Sequence, residues 1–183
     1  MMAKIKLIIK STGKYGKGIF TASAIPKGTV IHVLNGSRMS LAEFVRKIFS
    51  GEERLDDPLQ IGRRTYLDLD DFSRLFNHSC DPNAGLRKNS ELFALRDIGG
   101  EIVYDYSATI APTEWEMPCA CGSRKCRKIL GDIRSIPKAQ LGLYKKTGAL
   151  QRYMKTLLTE IEAGTYQIPA YEYEALETLG GRG

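Results

Sequence analysis

Four cysteines and one polar heptapeptide are the residues of this 183-residue chain whose types and spacing could do chemistry. Cys119, Cys121 and Cys126 stand as CxCx4C in PCACGSRKCRK, with Gly122 supplying a tight turn that brings three thiolates round one point. A tetrahedral ion needs a fourth ligand, and Cys80 is the only other cysteine, so an all-thiolate zinc site would use every thiol. Arg124, Lys125, Arg127 and Lys128 flank that segment and would offset the two net negative charges of a zinc tetrathiolate. Disulfides are disfavoured because thiols at i and i+2 pair poorly and nothing in the sequence points to secretion, which leaves free thiols as the other alternative. The heptapeptide Asn77-His78-Ser79-Cys80-Asp81-Pro82-Asn83 places His beside Ser, yet neighbours at i and i+1 point apart and no G-x-S-x-G elbow exists, which argues against a hydrolase. Alone, it would read as a polar turn that satisfies its own backbone.

The surrounding order of motifs decides against the turn. Gly16-Lys17-Gly18-Ile19-Phe20, Ile25-Pro26-Lys27-Gly28, Arg74 with NHSCDPN, EIVYDYS and CACGSRKCRKILGD follow one another over about Lys10 to Ile136. This series resembles the SET-domain protein lysine methyltransferases of the minimal bacterial or archaeal type, with a zinc-binding post-SET segment and no Cys-rich pre-SET region. The resemblance implies a mostly β fold, the β-clip or SET fold, of small curved sheets in which the segment bearing Tyr104 and Tyr106 threads under the NHSC loop as a pseudoknot, followed by C-terminal helices. It implies S-adenosylmethionine and Zn2+ as cofactors. It places the donor against Gly16, Lys17, Gly18, Asn77, His78 and Tyr106, with Ile129 or Leu130 over the adenine, and zinc on Cys80, Cys119, Cys121 and Cys126. Tyr106 matches the catalytic tyrosine, and Tyr104 matches the position where Phe or Tyr sets how many methyl groups fit, Tyr restricting the product to low methylation states.

Three departures from the family pattern stand out. Leu34 occupies the place where many members have a further channel tyrosine, Lys17 stands between the glycines where some carry an aromatic residue, and the stretch Arg96 to Ile102 is about two residues short. The reading that competes with an enzyme is a zinc-stabilised SET-fold binding module without catalysis; the presence of Tyr106, Asn77, His78 and both glycines argues for activity.

The elements that must hold these residues are short. Alternation predicts strands over Lys4 to Lys10 and Thr29 to Leu34, and further strand-like pieces at Leu59 to Leu69, Ala84 to Arg87, Glu91 to Arg96 and Glu101 to Asp105. Helical spacing of Leu41, Phe44, Val45, Ile48 and Phe49 after Ser40 predicts a helix that stops before Gly51, and two helices follow Lys138, interrupted at Gly148 and ended at Gly164. We divide the chain into a SET domain (1–118), a post-SET zinc segment (119–136) and a helical extension (137–183), with Gly180 to Gly183 fraying.

Composition bounds the rest. With 43% apolar and 26% charged residues the chain is that of a globular protein, and its longest apolar stretches fall far short of the ~20 residues that span a bilayer. No secretory signal is evident, so a reducing, cytoplasmic setting is expected, or a nuclear one in a eukaryote. The net charge of +6 is segregated: Lys4, Lys6, Lys10, Lys14, Lys17, Lys27 and Arg38 precede the first acid, acids gather between Glu52 and Asp71, and the tail from Glu160 is acidic. An acidic strip suits a Lys/Arg-rich protein substrate, whether histone-like, nucleoid or ribosomal. Direct nucleic-acid recognition is disfavoured, since no aromatic residues are regularly spaced among the N-terminal lysines and no DNA-binding motif follows.

Overall fold

A computed structural model of the chain describes residues 5–13, 16–53, 57–113 and 115–167. Four small antiparallel sheets carry the fold. Strand β1 (Leu7–Ser11) pairs with β2 (Lys17–Thr21), in the register Leu7 with Thr21 and Ser11 with Lys17. Strand β3 (Val30–Val33) is an edge of a second sheet, β4 (Gly36–Ser40) of a third. After helix α1 (Leu41–Ser50), β5 (Leu59–Gly62) and β6 (Thr65–Leu69) complete the β4-β6-β5 sheet, so the long extended run expected from Leu59 to Leu69 is a hairpin turning at Arg63 and Arg64. Strands β7 (Ala84–Arg87) and β8 (Glu91–Ala94) complete the order β3-β8-β7, and β9 (Met117–Pro118) pairs with β10 (Ile129–Leu130) around the cysteines. Helices α2 (Lys138–Thr147) and α3 (Arg152–Glu162) close the described chain. Gly180 to Gly183 and the tail acids beyond residue 167 lie outside the described residues.

Local signals explain several boundaries. Ser40 caps α1, its Oγ accepting from the Glu43 N–H at 3.2 Å, and Gly51 ends the helix in the left-handed region at φ 73°. Gly148 ends α2 in the same way at φ 73°. Strands β2 and β4 were not read from the sequence as strands. Along β4 only Met39 turns a side chain into the interior, so its five residues show too little alternation to reveal themselves.

The principal core gathers Ile19, Ile25, Leu34, Phe76, Leu92, Ile98, Ile102 and Tyr104. A second core, built from Phe93, Ala108, Ile133, Tyr144, Leu150, Met154 and Leu157, joins α2 and α3 to the back of β8. The short stretch from Arg96 to Ile102 closes without a gap: Ile25 and Ile98 exchange both backbone hydrogen bonds at 2.9 Å, and Ile102 donates to Ile19 at 2.8 Å. Both isoleucines of this stretch are buried, which ties it to the main core.

The expected threading is visible in backbone hydrogen bonds. Tyr104 runs parallel to His78, its N–H donating to the Asn77 carbonyl at 3.1 Å and its carbonyl accepting from Ser79 at 3.0 Å. Asn83 clamps the same segment with its side chain, donating to the Glu101 carbonyl at 2.7 Å and accepting from the Val103 N–H at 2.9 Å. The segment 101–105 is thus a ribbon pinned at separate points rather than the strand the sequence suggests, and Tyr106 begins a 3-10 turn over Tyr106–Thr109 capped by Asp105.

Candidate functional site

Tyr106 is where the separate motifs converge. Its backbone N–H donates to His78 Nδ1 at 3.2 Å and its hydroxyl donates to the Phe76 carbonyl at 3.0 Å. Its ring lies 4.9 Å from that of Tyr104 and 5.3 Å from that of His78, centroid to centroid. Tyr104 is buried and Tyr106 half-buried, so the pair has one inner and one outer member. Burial, and then the neighbouring Tyr106, push the Tyr104 hydroxyl far above the ordinary tyrosine pKa, so it stays protonated.

Asn77 connects this centre to the glycine loop. Its Nδ2 donates to the Lys17 carbonyl at 3.1 Å and to Glu101 Oε1 at 2.8 Å, while its Oδ1 has no hydrogen bond among the described residues. Gly18 is required by that packing: a Cβ there would stand 2.7 Å from Asn77 Nδ2, 2.5 Å from Glu101 Oε1 and 2.9 Å from a Thr12 methyl. Gly16 serves a different need, with φ at 82° and open space where a Cβ would point. Lys17 contributes its carbonyl here and carries its side chain on an exposed position.

The thiols also gather. A ring nitrogen of His78 and the sulfurs of Cys80, Cys119 and Cys121 lie within 4.8 Å of one another, and the Cys80 and Cys119 sulfurs are 3.8 Å apart. Cys126 packs against the same cluster with Leu130 and Met117, its Sγ 3.3 Å from the Cys119 carbonyl. Burial pushes the Cys80 and Cys119 thiols up. Burial also opposes ionisation of Cys121, but N–H groups of Cys80 and Ser123 and the adjacent thiols outweigh it and bring its pKa down to about 7.

His78 is the cluster member that the sequence reading had given to the donor instead. Burial, and then the Arg127 cation, depress its pKa to about 3, so the ring is neutral. A neutral ring that accepts at Nδ1 from Tyr106 carries its proton on Nε2, which lies 3.3 Å from Cys80 Sγ. Binding of a cation at Nε2 would therefore require that proton to leave. The ligand atoms gathered here are those of His78, Cys80, Cys119 and Cys121, a set compatible with a soft divalent ion, while Cys126, the fourth ligand expected from the sequence, packs at its margin.

The two residues proposed to cover an adenine part company. Leu130 is fully buried among the thiols, whereas Ile129, one position earlier on β10, is 55% exposed. Leu34 is buried in the main core.

Sequence reading missed one buried and highly connected ionisable group. Asp105, between the tyrosines and buried, accepts from Ser107 N–H at 3.2 Å, Arg127 Nη2 at 2.5 Å, Gln140 Nε2 at 3.1 Å and the Tyr144 hydroxyl at 3.1 Å. Burial raises its pKa while Arg127 and these donors oppose the rise. The one local signal was an acid flanked by aromatic residues in a segment bound for the interior.

Three of the acids from Glu53 to Asp71 hold Arg74, which pairs with Asp57 at 3.0 Å, Glu53 at 3.1 Å and Asp68; Lys47 also pairs with Asp68, at 2.5 Å. Asp70 and Asp71 line an open cavity of about 410 Å³ with Gly36, Ser37, Asp68, Leu69 and Arg74.

A fold of small antiparallel sheets, a tyrosine pair threaded beneath an Asn-His-Ser-Cys loop and a thiol cluster beside it define one class of protein. The SET domain profile matches residues 16–107. The chain belongs to the SET-domain family. It is 30% identical over 133 residues to human Histone-lysine N-methyltransferase 2B, covering 63% of this chain and 5% of that protein. It is 33% identical over 138 residues to Histone-lysine N-methyltransferase ash1 of Drosophila melanogaster, covering 66% of this chain and 6% of that one. The chain therefore spans a small fraction of the length of these curated relatives. Among solved structures, the methyltransferase domain of human Histone-lysine N-methyltransferase SETMAR superposes with a TM-score of 0.57 at 25% identity, over 70% of this chain and 59% of that one. KRYPTONITE in complex with mCHH DNA, an H3(1-15) peptide and SAH shares the fold, with a TM-score of 0.51 at 23% identity over 70% of this chain and 30% of that one.

Proposed function

We propose that the protein is an S-adenosylmethionine-dependent protein-lysine N-methyltransferase that acts on a Lys/Arg-rich protein segment and gives a low methylation state. The observation that carries this reading is the posture of Tyr106, whose N–H and hydroxyl are held by His78 and Phe76 on either side of Asn77 and whose ring packs on Tyr104, with Asn77 bonded to the glycine loop. When bound, the donor supplies an electrophilic methyl group on a sulfonium. Gly16, Lys17 and Gly18 offer backbone at close approach, the unengaged Oδ1 of Asn77 is an acceptor for an ammonium, and exposed Ile129 is an apolar cover for an adenine. His78 contributes as a neutral ring that fixes Tyr106, and Leu130 belongs to the packing of the thiols.

Methyl transfer asks the protein mainly to position a neutral amine in line with the methyl group. A free lysine has a pKa near ~10.4, and an apolar aromatic channel disfavours its ammonium form. Tyr106, anchored through its hydroxyl to Phe76, orients that amine, and protonated Tyr104 behind it narrows the channel. Cys80, Cys119, Cys121 and Cys126 would hold a zinc ion, which would order the segment that ends in β10 and carries Ile129. The domain division at 118 and 136 follows these roles.

For substrate, the open carboxylates of Asp70 and Asp71 at the cavity favour a cationic peptide. Relatives named as histone-lysine methyltransferases, and an H3 peptide in one structural neighbour, support a histone-like protein, with nucleoid and ribosomal proteins of the same chemistry as alternatives. No helix among the described residues is long and apolar enough to cross a membrane, and we place the protein with its substrate in cytoplasm or nucleus.

Calorimetry with S-adenosylmethionine, followed by incubation of labelled donor with a cell lysate and mass spectrometry of the labelled band, tests this reading. Donor binding with label on lysine is the expected result. Donor binding without transfer to any protein would instead make the chain a SET-fold binding module.

A further inference from the structure

The Asp105 carboxylate joins three parts of the chain that are remote in sequence. Its Oδ1 receives Arg127 Nη2 from the cysteine segment, its Oδ2 receives both Gln140 Nε2 and the Tyr144 hydroxyl from α2, and it stands between the two tyrosines. We propose that Asp105 is a positioning residue through which α2 and the cysteine segment together set Tyr106, so that the C-terminal helices are a working part of methyl transfer. The proposal rests on the role given above to Tyr106.

The geometry supports a coupling beyond ordinary packing. Tyr106 follows Asp105 directly, so fixing the carboxylate from α2 fixes the peptide whose N–H reaches His78. Tyr144 is 2% exposed within the second core, where a phenylalanine would fill nearly the same volume; its hydroxyl is aimed at Asp105 and is also met by Gln140. Arg127 completes the link from the other side. Its side chain is only 10% exposed, its Nη2 is committed to Asp105, and its backbone N–H donates to Cys80 Sγ at 3.4 Å. Its Nε and Nη1 have no hydrogen-bond partner among the described residues, a costly arrangement for a buried cation unless negative charge lies close by. The Asp105 carboxylate is that charge, and the Arg127 backbone N–H on Cys80 Sγ ties the same residue to the thiol cluster, so ordering of the cysteine segment and ordering of Asp105 are linked through Arg127.

Replacing Asp105 itself would strand Arg127 and risks misfolding, so the test uses Tyr144→Phe, which removes one hydroxyl and little volume. In the zinc-loaded full chain, hydrogen exchange of the amides of residues 104–109 should speed up by about tenfold, the effect of one lost bond to a charged group, while zinc content stays the same. With S-adenosylmethionine and core histones, kcat should fall about fivefold or more at near-constant KM and donor Kd, because positioning is lost and binding is not. Removing zinc with a chelator should speed exchange of the same amides in the parent, and less so in Tyr144→Phe, because the two losses share one link. Exchange changes confined to α2, or a lowered Tm with unchanged kcat, would overturn the proposal and leave Tyr144 as core packing alone. A parent that transfers no methyl group would refute the functional reading instead, and the exchange data would still decide whether Asp105 couples α2 to residues 104–109.

Discussion

At the scale of single residues, identical side chains do different work because their surroundings differ. Tyr104 and Tyr106 are two positions apart, but one is buried and the other half-buried with its hydroxyl on Phe76. Tyr104→Phe removes a hydroxyl from the inner wall without emptying the site, so methyl transfer should persist and its product should move from mono- toward di- or trimethyl-lysine, read by intact mass of a modified peptide; an unchanged product distribution would remove Tyr104 from the specificity role. The thiol cluster offers a second contrast, between a histidine that lies inside it and a cysteine at its margin. With Nδ1 of His78 engaged by the Tyr106 N–H, His78→Ala should keep one equivalent of zinc by elemental analysis, while Cys126→Ser should lose most of it. The reverse pattern would make His78 a ligand. These roles were only partly legible in the sequence. The count of four thiols pointed to metal chemistry directly, whereas the setting of His78 depends on a backbone N–H that is 28 residues away.

Among elements, the glycine loop and the turn before NHSC show how tightly short pieces are held. Gly18→Ala puts a methyl group against Asn77, Glu101 and Thr12. Overpacking of this kind costs about 1–3 kcal/mol, and the displaced Asn77 should weaken donor binding by about tenfold or more, equivalent to about 1.4 kcal/mol; thermal melts and calorimetry on the same variant measure both. Asp70 braces the turn Ser73–Leu75, accepting from the Ser73 N–H at 2.6 Å, and that bond holds its carboxyl below the ordinary 3.8. The sign follows from the depression: the carboxylate's contribution is present above pH ~3.8, where the unfolded group is ionised, and is lost as pH falls through the lower folded value. Asp70→Ala should therefore destabilise the protein by about 1 kcal/mol near neutral pH and by progressively less below pH ~4, in denaturant titrations. A pH-independent difference would assign the loss to packing. The helix α1, with Ser40 and Gly51 as its ends, was readable because its signals are local. Strand β2 was not, because what makes it a strand is its partner β1 and the bridge from Phe20 to Glu101.

For the whole molecule, the C-terminal helices close the back of the sheet and reach into its centre. Gln151 is fully buried and donates to the Gln60 carbonyl at 2.8 Å and the Asn89 carbonyl at 2.6 Å, while Tyr144 and Gln140 meet Asp105. The sequence announced two helices through their apolar spacing but nothing of this attachment, because it depends on contacts 35 to 91 residues apart between polar groups that carry no periodicity. The order of motifs, by contrast, could be read without any contact, since each motif is a run of adjacent residues. That Tyr106 orients a substrate lysine for methyl transfer is tested most directly by intact-mass analysis of core histones incubated with S-adenosylmethionine and zinc-loaded protein. Methyl adducts on lysine with the parent, and their near disappearance with Tyr106→Phe at unchanged donor affinity, are the predicted result; equal methylation by the two proteins would contradict it.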